Sequence, residues 1–199
     1  MKQLTSMKAI IAYAATVLIT AACHHEKTDV NSPAYKILQS ERLGIPAEIS
    51  LPANLPKGNS RVATYYAEGV QKYKAQVKAG SSPAEYEWIF VAPQADLYDA
   101  RNHKVGSHGA GPHWQLSAAD SIFAQPYSPP KAATSNGSID WLLLMPKSGK
   151  NPTGVFTGTT YIQRIATTGG KAPSVPPLHV TETMDVKYTA VYRFSRSNP

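Results

Sequence analysis

A single cysteine, Cys23, in 199 residues excludes an intramolecular disulfide and leaves no second thiol for redox or nucleophilic chemistry. Charged residues make up only 17% of the chain, and its 20 lysines and arginines are scattered, with no basic helix and no aromatic ribonucleoprotein motif. That distribution speaks against a nucleic-acid partner. Helical periodicity is scarce, internal repeats are absent, and no G-x-S-x-G or usable S-x-x-K arrangement marks a serine nucleophile. Gly106, Gly109 and Gly111 match neither a Rossmann fingerprint nor a P-loop, and no helix follows them to lend its N-terminal dipole. Gly169-Gly170-Lys171 fails for the same reason, so no cofactor is expected.

What is present begins with an address. Met1–Ala22 carries Lys2 and Lys8 ahead of an apolar stretch from Ala9 to Ile19 and ends in small residues, the pattern of a secretory signal peptide; the stretch is too short to span a membrane as a helix. Thr20-Ala21-Ala22-Cys23 resembles a bacterial lipobox, with threonine where leucine is usual. The reading is therefore lipidation at Cys23 and attachment to a membrane through that anchor. His24 at the next position, in place of aspartate, points to the outer membrane facing the periplasm. Cleavage removes Lys2 and Lys8 and no acids, taking the formal charge from +7 to +5, an ordinary excess for a protein facing anionic lipid and cell-wall polymers.

The chain then divides into a lipidated, proline-broken tether and overlay segment (23–56), with a short helix expected over Ala34–Leu43, and a β domain (57–199). In the domain, Arg61–Ala67 and Val70–Val77 read as two strands parted by Glu68-Gly69; Gln71, Tyr73, Ala75 and Val77 share one face and Lys72, Lys74 and Gln76 the other. Tyr86, Trp88 and Phe90 alternate with Glu87, Ile89 and Val91 up to Pro93, which is expected to end the ladder, and Ala95–Tyr98 reads as a separate short strand. Ser121–Ala124 forms another, and Pro126–Gly137 a surface loop. The apolar run Ile139–Met145 predicts a strand buried on both faces, and Val155–Thr167 a further strand. The clearest alternation is the last: Val186, Tyr188, Ala190, Tyr192 and Phe194 against Lys187, Thr189, Val191, Arg193 and Ser195. These segments predict one all-β domain, an antiparallel sandwich or barrel with long loops.

The segments GVQKYK, WIFVAPQADLYD, KVGSHGAGPHW, WLLL, TYIQRIATTGGKAP and KYTAVYRF, in this order, resemble the exported domain-of-unknown-function family 3455 of bacteria and fungi, over roughly Leu51–Phe194. The resemblance implies a fold unit but no reaction. It also implies that relatives hold cysteines where this chain has Ala75 and, approximately, Leu178, a pair able to form a bridge that is missing here.

Candidate chemistry centres on the glycine-rich corner KVGSHGAGPHW. His103, His108 and His113 recur every five residues and are the candidate metal ligands, although the spacing matches no standard site and the expectation is that no metal binds; the competing role for His108 is a backbone bond that shapes the corner. Asp96, Asp99, Asp120 and Asp140 are the carboxylates from which an acid/base pair could be drawn. Among the aromatics Tyr86, Trp88, Trp114, Trp141 and Tyr161, Trp114 beside His108, joined by Gln163 and Arg164 from a following strand, marks the place for a ligand groove, since a glycine corner leaves room for approach. The functional expectation is a non-catalytic binding or structural module with a cell-wall glycan or protein as partner. The alternatives are a secreted hydrolase of envelope polymers, and an inhibitor presenting the Pro126–Gly137 loop to an envelope-targeting enzyme.

Overall fold

The computed structural model describes residues 29–199; the expected signal peptide, Cys23, His24 and His25 lie outside the described residues. Eight antiparallel strands form a closed barrel in which each strand pairs with its neighbour in sequence and the last returns to the first. They are β1 (Asn59–Val77), β2 (Tyr86–Tyr98), β3 (Lys104–Gly109), β4 (His113–Gln115), β5 (Ser121–Pro126), β6 (Leu142–Pro146), β7 (Tyr161–Gly169) and β8 (Thr183–Ser197). Of the two all-β architectures open to the sequence, the barrel is the one adopted.

Closure turns strand alternation into an inside and an outside. On β8, Tyr188, Ala190, Tyr192 and Phe194 enter the interior cluster, while Val191 joins a second cluster on the outer wall. On β6, Leu144 faces in and Leu143 out, and both are buried. The outer wall is dry there because the N-terminal segment lies across it. Helix α1 (Pro33–Ser40), capped by the Ser32 hydroxyl accepting from the Tyr35 N–H, and a 3₁₀ turn at Ala47–Ile49 bring Ile37 and Ile49 onto Tyr66, Trp141, Leu143, Ile165 and Val191. Several polar clasps hold the overlay: Gln163 Nε2 donates to the Ile49 carbonyl at 2.7 Å, Arg193 and Arg61 pair with Glu41 at 3.2 and 3.1 Å, and Lys131 pairs with Glu48 at 2.6 Å.

Several strands differ from their expected extents, each for a local reason. β1 runs unbroken through Glu68-Gly69. A Cβ at Gly69 would stand 2.1 Å from the Gln94 carbonyl oxygen and 2.4 Å from the Ala95 Cα, so glycine here admits the neighbouring backbone and does not mark a turn. β2 likewise continues past Pro93. Lys72 pairs with Ala92 and Tyr73 with Phe90, which leaves Val91 as the extra residue of a bulge. The bulge reverses the strand's phase, so that Phe90 before it and Ala95 and Leu97 after it share the inner side. Up to Gln94 this strand has only β1 beside it, because β3 begins pairing at Ala95, and a proline there forfeits little. The expected strand Val155–Thr167 is in fact a 3₁₀ turn, Gly154–Phe156, followed by β7.

The two ends of the barrel are unlike. At the end carrying the β2–β3, β4–β5 and β6–β7 connections, Phe156 drops from its 3₁₀ turn into the interior, 4.8 Å from Phe194 and 6.3 Å from Tyr65 between ring centres, and forms an aromatic plug. At the other end β1 and β2 extend beyond the shorter strands, and the β7–β8 loop is tied to β2 by Trp88 Nε1 donating to the Val175 carbonyl at 3.0 Å. That end is open. Among the described residues no helix is long and apolar enough to cross a membrane.

Candidate functional site

A cavity of about 500 Å³ enters the barrel at its open end. Its walls are mostly apolar: Phe90 and Pro93 from β2, the Ala110–Pro112 turn between β3 and β4, and Ile139, Leu142 and Leu144. Polar side chains reach it from β1 (Gln71, Tyr73), β3 (His108), β7 (Arg164) and β8 (Tyr192), with Asp140 and Lys171 from the adjoining connections.

Trp114 lies toward the floor, fully buried, with the Phe194 ring 5.6 Å away edge-on. His108 stacks on it at 4.5 Å with 17° between planes and meets Tyr192 at 4.9 Å. The His108 Nδ1 lies 2.9 Å from the His113 carbonyl, and since a carbonyl only accepts, Nδ1 carries the proton and Nε2 remains an acceptor. Burial pushes the His108 pKa down to about 3, helped by the nearby positive charge of Arg164 and opposed by the His113 carbonyl, so the ring is neutral at physiological pH. This corner closes tightly because Gly106 admits the β4 backbone; a Cβ there would fall 2.3 Å from the Gln115 carbonyl oxygen.

Arg164 is half-buried, and among the described residues its one hydrogen bond of good geometry runs from Nε to the Asp140 carbonyl at 2.9 Å, with the Tyr192 hydroxyl nearby and no carboxylate at ion-pair distance. Around it the interior has a hydrogen-bonding deficit. Gln71 Nε2, Trp114 Nε1, Tyr188 Oη and Tyr192 Oη are buried without a partner of good geometry, although Gln71 approaches Tyr188, and Tyr192 lies between Tyr188 and Arg164, closely enough for loose hydrogen bonds to affect the phenols' ionisation. Burial holds both phenols neutral. An unpaired buried polar group costs about 1–3 kcal/mol, and the adjoining cavity is the space from which partners can come.

Of the four residues expected to flank a groove, His108, Trp114 and Arg164 line this cavity. Gln163 does not. Neighbours on a strand face opposite ways, so with Arg164 turned inward Gln163 lies on the outer wall, where it fastens the overlay. The three histidines proposed as metal ligands do not converge: His103 sits on the exposed β2–β3 turn beside Asp99, His113 stacks on Phe123 at 4.1 Å, and His108 is inside. Among the described residues no group of three potential ligands is placed to hold a metal ion. The aspartates are also dispersed. Asp96 pairs with Lys104, Asp99 caps its own turn through the Arg101 and His103 N–H groups, and Asp120 accepts from the Ser117 hydroxyl and the Val155 N–H; of these four carboxylates, Asp140 alone lines the cavity. Trp141 and Tyr161 belong to the outer wall.

Sequence reading missed Gln71, Phe90, Lys171 and Tyr192. Gln71 carried a usable signal, an amide on the same strand face as Tyr73 and Ala75, where the period of two places only core.

No curated protein and no solved structure matches the chain. The model of a family described as "Protein of unknown function (DUF3455)" matches residues 56–196, from just before β1 to within one residue of the end of β8, and the chain belongs to that family.

Proposed function

We propose that this protein is a non-catalytic binding module of the cell envelope, tethered through a lipid on Cys23, that takes a small, largely apolar molecule into the open end of its barrel. The observation that carries the reading is the cavity of about 500 Å³, plugged at one end, apolar in most of its walls and supplied with a few convergent polar groups. An eight-stranded barrel has the bore to hold one small ligand, and pockets of roughly 300–1,000 Å³ with this mixture of walls are the usual small-molecule sites. Binding is favoured over turnover because His108 is too weak a base to take up a proton at neutral pH, and with Asp96, Asp99 and Asp120 engaged elsewhere Asp140 has no second aspartate beside it in the cavity to form an acid/base pair.

The cavity is tested with Nile red, a neutral apolar dye, on the Cys23→Ser chain purified without detergent. One dye per protein is expected, with fluorescence enhanced and blue-shifted. Leu142→Trp, which fills the mouth from β6, should weaken binding by at least about ten-fold while leaving the far-ultraviolet circular dichroism unchanged. Absence of dye binding, or binding indifferent to Leu142→Trp, would contradict the reading. The tether is tested separately: Cys23→Ser should move the protein from the membrane fraction to the soluble fraction, and unchanged retention on the membrane counts against lipidation.

A further inference from the structure

We infer that the ligand of this cavity is an amphipathic carboxylate whose anionic end is held by Arg164 and whose apolar body lies against Phe90, Pro93, Ile139, Leu142 and Leu144. The inference rests on the binding-module reading and adds the chemistry of the ligand to it.

Three observations carry it. The first is the guanidinium. Arg164 lines the cavity half-buried, spends one of its five N–H donors on the Asp140 carbonyl, and has no carboxylate partner among the described residues. A guanidinium withdrawn from water and left unpaired is costly, and a planar carboxylate is the group its donor fork fits best. The second is the balance of charge at the mouth, where Lys171 adds a cation against the single carboxylate of Asp140. The third is the character of the groups left without partners. Of those that line the cavity, Trp114 Nε1 and Gln71 Nε2 are donors only and the Tyr192 hydroxyl can donate, so an acceptor entering beside Arg164 meets further donors. A carboxylate supplies two acceptor oxygens and carries the charge that Arg164 lacks. The remaining lining is apolar and demands a hydrocarbon body. Sugars, whose surface is mostly hydroxyl, fit these walls poorly.

Decanoate, methyl decanoate and decanol are the probes, competing with Nile red at neutral pH in the Cys23→Ser chain. Decanoate should displace the dye at a concentration at least about ten-fold lower than its methyl ester or the alcohol. Arg164→Gln should abolish that preference and leave the affinity for the ester unchanged, Arg164→Lys should retain part of it, and Lys171→Gln, which removes only a charge at the mouth, should reduce it less than Arg164→Gln does. If Nile red binds and all three compounds displace it equally, the cavity reading survives and the carboxylate assignment is overturned. A preference that persists in Arg164→Gln and disappears in Lys171→Gln overturns the role given to Arg164. If neither the dye nor any of the three compounds binds, both readings fail together.

Discussion

Lowering the pH from about 6.5 toward 3 should remove on the order of 4 kcal/mol of folding stability through His108 alone. The sign follows from where the proton goes. In the unfolded chain His108 titrates at the ordinary value of 6.5; in the barrel, burial against Trp114 and Tyr192 and the charge of Arg164 hold its pKa near 3. Between those values the unfolded state binds a proton that the folded state refuses, so stability is complete above 6.5 and falls by about 1.4 kcal/mol per pH unit below it. His113, also lowered by burial, acts in the same direction. Asp99 and Asp120 are held below the usual carboxylate range, chiefly by hydrogen bonds from the His103 N–H and the Ser117 hydroxyl, and their contributions are lost at lower pH, within the carboxylate range. Urea denaturation at a series of pH values measures the slope. His108→Gln, which keeps a polar side chain of similar size, should flatten the profile between pH 6.5 and 5 relative to the parent, and an unchanged slope in that variant would refute the assignment.

Gly69→Ala should cost about 3 kcal/mol, the upper part of the range for overpacking a close contact. The added methyl would sit 2.1 Å from a backbone carbonyl and 2.4 Å from a backbone Cα on β2, neither of which can rotate away, so two strands of a closed barrel must separate locally. For a protein of this size that loss corresponds to a fall in melting temperature of roughly 6–12 °C. Gly109→Ala is the control, because a Cβ there meets nothing within 4 Å. Equal melting temperatures for the two variants would show that β1 and β2 yield at Gly69 more readily than their backbones suggest.

Gly69 also shows where sequence reading loses its grip. A glycine inside an alternating run signals a break or a close approach with equal force, and only the partner strand decides between them. Pro93 is the same case. Its position marks a change in phase, which reads as a strand end until the Val91 bulge is seen to absorb it. What was legible rests on short-range geometry: the period of two along β8 separates Tyr188, Ala190, Tyr192 and Phe194 from their neighbours with no knowledge of the fold. The corner at His108 and Trp114 was legible because glycines flank it and a tryptophan closes it. The choice of barrel over sandwich was not, since it depends on β1 meeting β8, and neither strand advertises its partner. Gln163 was misplaced although the alternation that sorts β8 also forbids two successive residues of β7 from facing one cleft. Arg164 and Gln163 could not both belong there, and deciding between them needed the overlay, whose Ile49 carbonyl claims the amide.

The seam between β1 and β8, paired from Asn59 with Ser197 up to Lys74 with Thr183, also dictates the order in which the molecule can be made. Hairpins such as β3–β4 need only a few residues and can assemble while the chain is still being synthesised, but the seam joins segments as much as 138 residues apart. Its loop-closure entropy must be met before any seam contact stabilises the fold. The nascent chain can therefore collect its local hairpins one by one but has no barrel to close until β8 has left the ribosome.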